Sequence, residues 1–377
     1  MKQNLQISRK IALALLLLVT VTVANAQTTA IATGNWNNAA TWSAGIPDAA
    51  DAVTINNGVT VTVNTAAECA SIAINGGGTN SGITIAGTNS LAVSGAISVN
   101  APTSNNINRT ISVGSGMLTC ASVSFANTTG GTRDINMIIG TGTVSVSGNF
   151  VMSGSASENA VSFTDAGMLN LGGTFTGGTV TVSTGSIRYT GTGSQTIRNM
   201  DYNNLSFTGS GTKTLPGDII VTGDVLVEAG SVLTLGGSDI DIDVNGNRSL
   251  TINGTVNVNG NGRLIESSGG TKTLIIGSTG VLNITDNGGA GLPSLNAFSF
   301  DPASTVNFGS TDGQIIMNSV TYGNLTTSGS GTKTLENNGG TMNFAGTITI
   351  GNGTTLNSNN KTMNVGGDFI NNGSFTR

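Results

Sequence analysis

The densest set of ionisable side chains in this sequence is the run Asp239-Ile240-Asp241-Ile242-Asp243-Val244-Asn245-Gly246. Alternation with a period of two places the three carboxylates on one face of a strand, with Ile240, Ile242 and Val244 on the other. Like charges aligned on one face repel, and a hard divalent cation relieves that repulsion. Asp241-x-Asp243-x-Asn245-Gly246 also matches the opening of an EF-hand-type loop, although Ile252 stands where a bidentate glutamate is required. Asp239, Asp241, Asp243 and Asn245 are thus a candidate calcium set, the one cofactor the sequence suggests. A solvated acidic strand is the plainer alternative.

Other chemistry is sparse. The chain has no histidine, which removes Ser-His-Asp and Cys-His catalysis and histidine metal sites together. The short Gly-x-Gly strings open no helix and read as turns. Acids such as Asp165, Asp286 and Asp312 stand singly, and Arg188, Arg198, Arg248 and Arg263 have no acidic neighbours in an obvious cluster. Paired carboxylates brought together by folding would support glycoside hydrolysis, so a carbohydrate-active enzyme (a glycoside hydrolase or polysaccharide lyase) stands as the alternative function. Thr-x-Thr pairs at Thr60/Thr62, Thr179/Thr181, Thr212/Thr214, Thr271/Thr273 and Thr347/Thr349 suggest a minor further reading, an ice-binding face. Strand propensity alone also explains exposed threonine.

The elements that would carry these residues repeat. Leu250-Thr-Ile252-Asn-Gly254-Thr-Val256-Asn-Val258 is the clearest copy of a nine-residue unit, h-x-h-x-G-x-h-x-h, with others starting at Leu91, Val144, Leu169, Ile219, Met342 and Met363. Each h is apolar and each x small or polar, the pattern of a strand buried on one face. The glycine shares the apolar parity and marks a corner where one strand ends and the next begins. Many such units in series predict an all-β chain folded as a right-handed parallel β-helix, or β-solenoid. Asn-Gly pairs, as at Asn57-Gly58 and Asn259-Gly260, mark corners but equally suit hairpins. An array of antiparallel β-sandwich repeats is therefore the alternative fold. Apolar positions recur at 19 residues, from Ile55 to Ile74 and again to Val93, which sets a coil length of about 20 and, with stacking of roughly 4.8 Å, a rod of about 16 coils and some 75 Å.

Residues 1–26 read as a signal peptide. Lys2, Arg9 and Lys10 precede an apolar stretch from Ile11 to Val23, and Ala24-Asn25-Ala26 favours cleavage before Gln27. The expected location is therefore outside the cell, secreted or on its outer surface, with no transmembrane segment in the mature chain. Cleavage leaves 11 basic against 19 acidic residues, a net charge of −8, which argues against nucleic acid. Residues 27–63 form the expected cap and first coil: Trp36 and Trp42 lie beside Pro47, suited to covering the apolar end of a solenoid, with sugar stacking as the alternative role. Residues 64–377 hold the repeats. Cys69 and Cys120 lie 51 residues apart, two or more coils, which favours two buried thiols, with a disulfide, permitted outside the cell, as the alternative.

A longer duplication overlies the coils. Ser186-Ile-Arg-Tyr189-Thr-Gly191, Gln195-Thr-Ile197, Tyr202-Asn-Asn204-Leu205 and Gly209-Ser-Gly-Thr-Lys213-Thr-Leu215 form one block, residues 186–215. It returns at residues 305–335 as Thr305-Val-Asn-Phe308-Gly309, Gln314-Ile-Ile316, Tyr322-Gly-Asn324-Leu325 and Gly329-Ser-Gly-Thr-Lys333-Thr-Leu335. Gly270-Thr-Lys272-Thr-Leu274 is a partial third copy. Tyr202 and Tyr322 are expected to close a coil, with Asn204 and Asn324 as ladder or turn residues. This order of motifs, with the Trp36…Trp42…Pro47…Asp51 opening, resembles the β-strand-repeat surface proteins of gliding, Bacteroidetes-type bacteria. The resemblance covers most of the mature chain and specifies a repeat style more than an activity. It implies export to the cell surface, commonly by type IX secretion, and an adhesin-like or stalk role with surface polysaccharide or another cell-surface protein as partner. No stretch of residues 27–377 reads as the C-terminal sorting domain that the resemblance leads one to expect. A fresh unit starts at Met363, so the repeat array is expected to be incomplete at the C-terminus.

Overall fold

The computed structural model describes residues 27–128, 130–154, 158–243, 246–266, 269–285 and 291–377. The expected signal peptide lies outside the described residues, as do Asn245 and Asp286. The chain is a β-solenoid of about 14 turns whose one described helical element is a 3-10 turn, Ala39–Thr41. Among the described residues every strand-to-strand ladder is parallel, for example Thr255–Val258 on Val281–Ile284, which decides for the solenoid over antiparallel sandwiches. Each coil contributes up to three short strands among the described residues, and stacking sorts them into seven sheets, here numbered I to VII in chain order.

The period-two reading explains the core. Ile252, Val256, Leu274, Leu282 and Val306 are wholly buried, and the Thr and Asn residues between them face outward. Gly254 sits at the corner, where an added Cβ would lie 2.4 Å from the carbonyl oxygens of Glu228 and Ser231 in the coil below. No larger residue fits there. Gly58, with φ +83°, supplies the left-handed turn of one Asn-Gly corner.

Coil length differs from the expectation. Ile55 does stack on Ile74, but Ile74 stacks on Val99 and not on Val93, and Val113 stacks on Ile139. Loops between strands lengthen many coils beyond 20 residues, so the same chain makes fewer turns, a rod of about 65 Å.

At the N-terminal end, Gln27–Ala30 and Gly34–Asn35 pair with the strands of the next coil. Trp36 and Trp42 meet edge to face with ring centroids 4.9 Å apart, and Trp42 Nε1 donates to the Trp36 carbonyl at 2.7 Å. Both rings are buried in the core, so neither presents a face on which a sugar can stack. Cys69 and Cys120 share one inward column with Val93 between them, two rungs or about 9.6 Å apart. That exceeds disulfide reach, and both are free thiols. Burial pushes each thiol up to about 12, with the Asp51 charge adding to the shift at Cys69.

A thiol reagent is therefore expected to leave the native protein unlabelled at pH 7 and at pH 9, because both thiols are buried and burial keeps the reactive thiolate a very minor form at those pH values. Denaturation should release two equivalents at once, since the chain contains two cysteines. Labelling of the folded chain that rises between pH 7 and 9 would contradict this packing.

Candidate functional site

The duplicated blocks occupy the two places where the solenoid changes its sheets. Sheet I ends at Phe175–Thr176 and sheet II at Thr179–Thr181, while sheet III runs on through Ser186–Tyr189 to Asn204–Phe207. Sheet IV is then founded by Gln195–Thr196, and a bridge from Tyr202 to Val221 begins the column of sheet V. The second block repeats this. Sheet III ends at Ala297–Phe300 and sheet V at Leu264–Glu266, and sheet IV continues through Thr305–Phe308. Gln314–Ile316 founds sheet VI and Thr321–Tyr322 founds sheet VII. Each block thus continues one ladder and starts two.

Side chains supply what the interrupted ladders do not. Gln195 Nε2 donates to the carbonyls of Leu171 and Gly173, each at 3.0 Å, and its Oε1 accepts from the Gly191 amide at 2.8 Å. Gln314 repeats this with the Ile284 carbonyl at 3.1 Å and the Ser310 amide at 3.1 Å. Directly above each glutamine stands the block's lysine, Lys213 on Gln195 and Lys333 on Gln314. Lys213 Nζ donates to the carbonyls of Gly191 and Gly211 at 2.7 and 2.9 Å. Lys333 Nζ donates to those of Ser310, Asp312 and Ser330 at 2.7, 2.8 and 2.9 Å. Both lysines are fully buried, and desolvation lowers their pKa values. A buried ammonium is tolerated only when its donors are matched; at Lys333 three carbonyls match three N–H groups, and at Lys213 two carbonyls are engaged.

The third lysine copy behaves alike on a different sheet: Lys272 stacks on Arg248 and donates to the Gly269 carbonyl at 2.7 Å. Buried Arg109 does the same in the N-terminal half, with the carbonyls of Asn75, Thr79 and Gly77 between 2.6 and 2.9 Å away. These inward cations were not singled out from the sequence. The signal was present, because Lys213 shares the parity of buried Leu215, and Arg109 that of Ile111.

The expected coil-closing tyrosines are buried at both seams. Tyr202 and Tyr189 hydroxyls lie 2.8 Å apart, Tyr202 donates to the Arg198 carbonyl at 2.6 Å, and Tyr322 donates to that of Met317 at 3.1 Å. Asn204 and Asn324 cap the next coil by accepting from the amides of Asp224 and Thr347.

The acidic strand is built as expected, with Ile240 and Ile242 buried and the aspartates outward. Asp239, however, is engaged: its carboxylate accepts from the Arg263 amide at 2.8 Å and pairs with the Arg263 guanidinium at 2.8 Å. Its own amide is capped by Asp218. Arg188 likewise pairs with Glu228 at 3.1 Å, so two of the arginines that lack acidic neighbours in sequence acquire them when coils stack. Among the described residues, no three acidic or cysteine side chains converge as a metal-binding group.

The threonine pairs fall on three different sheets. Thr212/Thr214 and Thr347/Thr349 bound one face, that of sheet IV. One outward column there reads Thr214, Thr234, Asn257, Asn283, Asn307, Thr326, Thr349 over seven consecutive coils. Its asparagines bond along the column, Asn283 to Asn257 at 2.9 Å and Asn257 to Thr234 at 3.2 Å. The neighbouring column is Thr212, Val232, Thr255, Val281, Thr305, Asn324, and no charge interrupts either.

Sheet III carries a different feature, an open groove of about 470 Å³ where its strands turn the corner. It spans the coils from Val93 to Thr208 and is lined by hydroxyls, one amide and one guanidinium. No protein family, curated protein or solved structure matches this chain.

All three tyrosines of the chain are fully buried, and desolvation raises each pKa above the usual phenol range. The fold holds them neutral, so their contribution to stability is whole below the unfolded value near pH 10 and is lost as pH rises beyond it. Alkaline titration should show phenolate absorbance only together with loss of the β-sheet circular dichroism. Reversible ionisation near pH 10 in the folded protein would contradict the burial of the seams.

Proposed function

We propose that the mature chain is an exported structural protein of the cell surface, an adhesin-like stalk or binding scaffold. The observation that carries this reading is the sheet IV face, where seven successive coils present only Thr, Asn and Val in fixed register. Such a face is soluble without being charged, and it extends by adding coils. Titratable groups serve elsewhere as corner caps and ion pairs, as Asp224 does in accepting the amide and hydroxyl of Ser249. The likeness to β-strand-repeat surface proteins and the signal-type N-terminus support export, with type IX secretion as the route. The return of the block at residues 186–215 as residues 305–335, about 120 residues further on, supports selection for reach over selection for a single catalytic site.

An antibody raised against the purified chain should label intact, unpermeabilised cells, and protease applied to those cells should remove the label. The exported protein should begin at Gln27. Labelling that requires lysis would overturn the surface assignment. Release of reducing or unsaturated sugars from polysaccharide by the purified protein would replace the scaffold with an enzyme.

A further inference from the structure

Two carboxylates that no ion pair accounts for lie on neighbouring coils where the chain enters sheet II. Ile107–Val113, Arg133–Ile139 and Asn159–Phe163 are successive strands there, with Asn108 stacked on Asp134 and Ile135 on Asn159. Glu158 stands just before the last of these strands, and its carbonyl accepts from the Ile135 amide at 2.9 Å. It thus sits one rung beyond Asp134, as Asp134 does beyond Asn108. The two acids sense each other: the Asp134 pKa is raised by desolvation first and by the Glu158 charge second.

Nothing described in the chain neutralises them. Glu158 is only 4% exposed, and its Oε2 has no hydrogen-bond partner among the described residues. The ion pairs among those residues are Arg188–Glu228 and Arg263–Asp239, both elsewhere. The two arginines that flank this column are turned to other acceptors. Arg109 donates to the carbonyls of Asn75, Thr79 and Gly77, and Arg133 Nε to Asn105 Oδ1 at 3.2 Å. A buried carboxylate beside a second one needs a proton or a cation. Asn108 adds a third group, since one end of its side-chain amide lies 3.3 Å from Asp134 Oδ2 and 3.2 Å from the Ile107 carbonyl oxygen. With nitrogen at that end the amide donates to both. With oxygen there, three oxygens converge, an arrangement that only a cation stabilises.

We infer that Asp134, Glu158 and Asn108 form a calcium site that clamps three adjacent coils of sheet II. The ligands are all oxygen, the donor type that calcium takes. Parallel side chains on neighbouring rungs are roughly 4.8 Å apart, and two oxygens on opposite sides of a calcium ion, at about 2.3–2.6 Å each, span about 4.6–5.2 Å. Magnesium binds at about 2.1 Å, spans about 4.2 Å and demands octahedral geometry, so it fits this spacing less well. Two carboxylates with neutral partners make a weak site, with Kd on the order of 10⁻⁴–10⁻³ M, the range of extracellular calcium modules. The site lies on a different sheet from the acidic strand at residues 239–243, and it stands independently of the surface assignment.

Thermal unfolding of the full mature chain, stripped of metal with a chelator and followed by circular dichroism, tests this. Calcium chloride at about 10 mM should raise the midpoint by about 2–4 °C, and magnesium chloride at the same concentration by less. Asp134→Asn and Glu158→Gln should each abolish the calcium shift. Both variants should remain folded in chelator, because each removes the repulsion between the acids. Asp241→Asn, on the acidic strand, should keep the full shift. A wild-type midpoint indifferent to calcium would overturn the site, as would a shift that survives either Asp134→Asn or Glu158→Gln. A shift lost in Asp241→Asn would move the ion to the acidic strand and equally overturn it. A midpoint that ignores calcium but rises on acidification from about pH 7 to about pH 5 would show a shared proton in place of the ion.

Discussion

A solenoid coil is stable only while the backbone of the coil beneath it is satisfied, and this chain meets that condition in two ways. Through most of its length the next strand pairs in parallel, and apolar side chains stack in columns such as Leu250 on Leu274. Where a ladder stops, buried polar side chains take over its hydrogen bonds. Gln195 and Gln314 reach back to the preceding coil, and Lys213 and Lys333 close carbonyls of the glutamines' own coil beneath them. Unpaired carbonyls at these depths would cost about 1–3 kcal/mol each, enough in number to undo a seam. The duplicated block is thus a device for ending two ladders and founding two more while one continues.

This gives the duplication a physical reason. Sheet III carries the chain across the first seam and sheet IV across the second, so no section of the rod depends on side chains alone. The stacked pairs Tyr189 on Phe207 and Tyr322 on Phe344 fill the core beside each seam. Because the block solves a local problem, it can be copied whole, and the rod lengthens without redesign. The outer faces are freed from structural duty, which lets one be a flat Thr/Asn/Val array and another a polar groove.

Much of this was legible in the sequence. Period-two alternation with glycine on the apolar parity located strands and corners, because a buried face and a close backbone approach are local properties. The separation of Cys69 and Cys120 by two or more coils was legible from spacing, and the structure shows both as free thiols. Coil count did not, because loops between strands set it, and Val93 took a position in a different sheet from Ile74. The ion pairs Arg188–Glu228 and Arg263–Asp239 were hidden because only stacking makes those residues neighbours. The inward lysines were hidden for a different reason: a cation at a core parity conflicts with burial unless the carbonyls around it are known. The groove was invisible, being a property of several coils at once.

The central claim is that the buried glutamine and the lysine stacked on it act as one unit. A double-mutant cycle measures this directly, using urea unfolding of Gln314→Leu, Lys333→Leu and the double variant. Both side chains bind Ser310, one through its amide and one through its carbonyl. Each single change is expected to destabilise the chain, and the pair to be coupled by about 0.5–3 kcal/mol, the range for residues sharing partners. Strictly additive effects would show that the seam is held by something else.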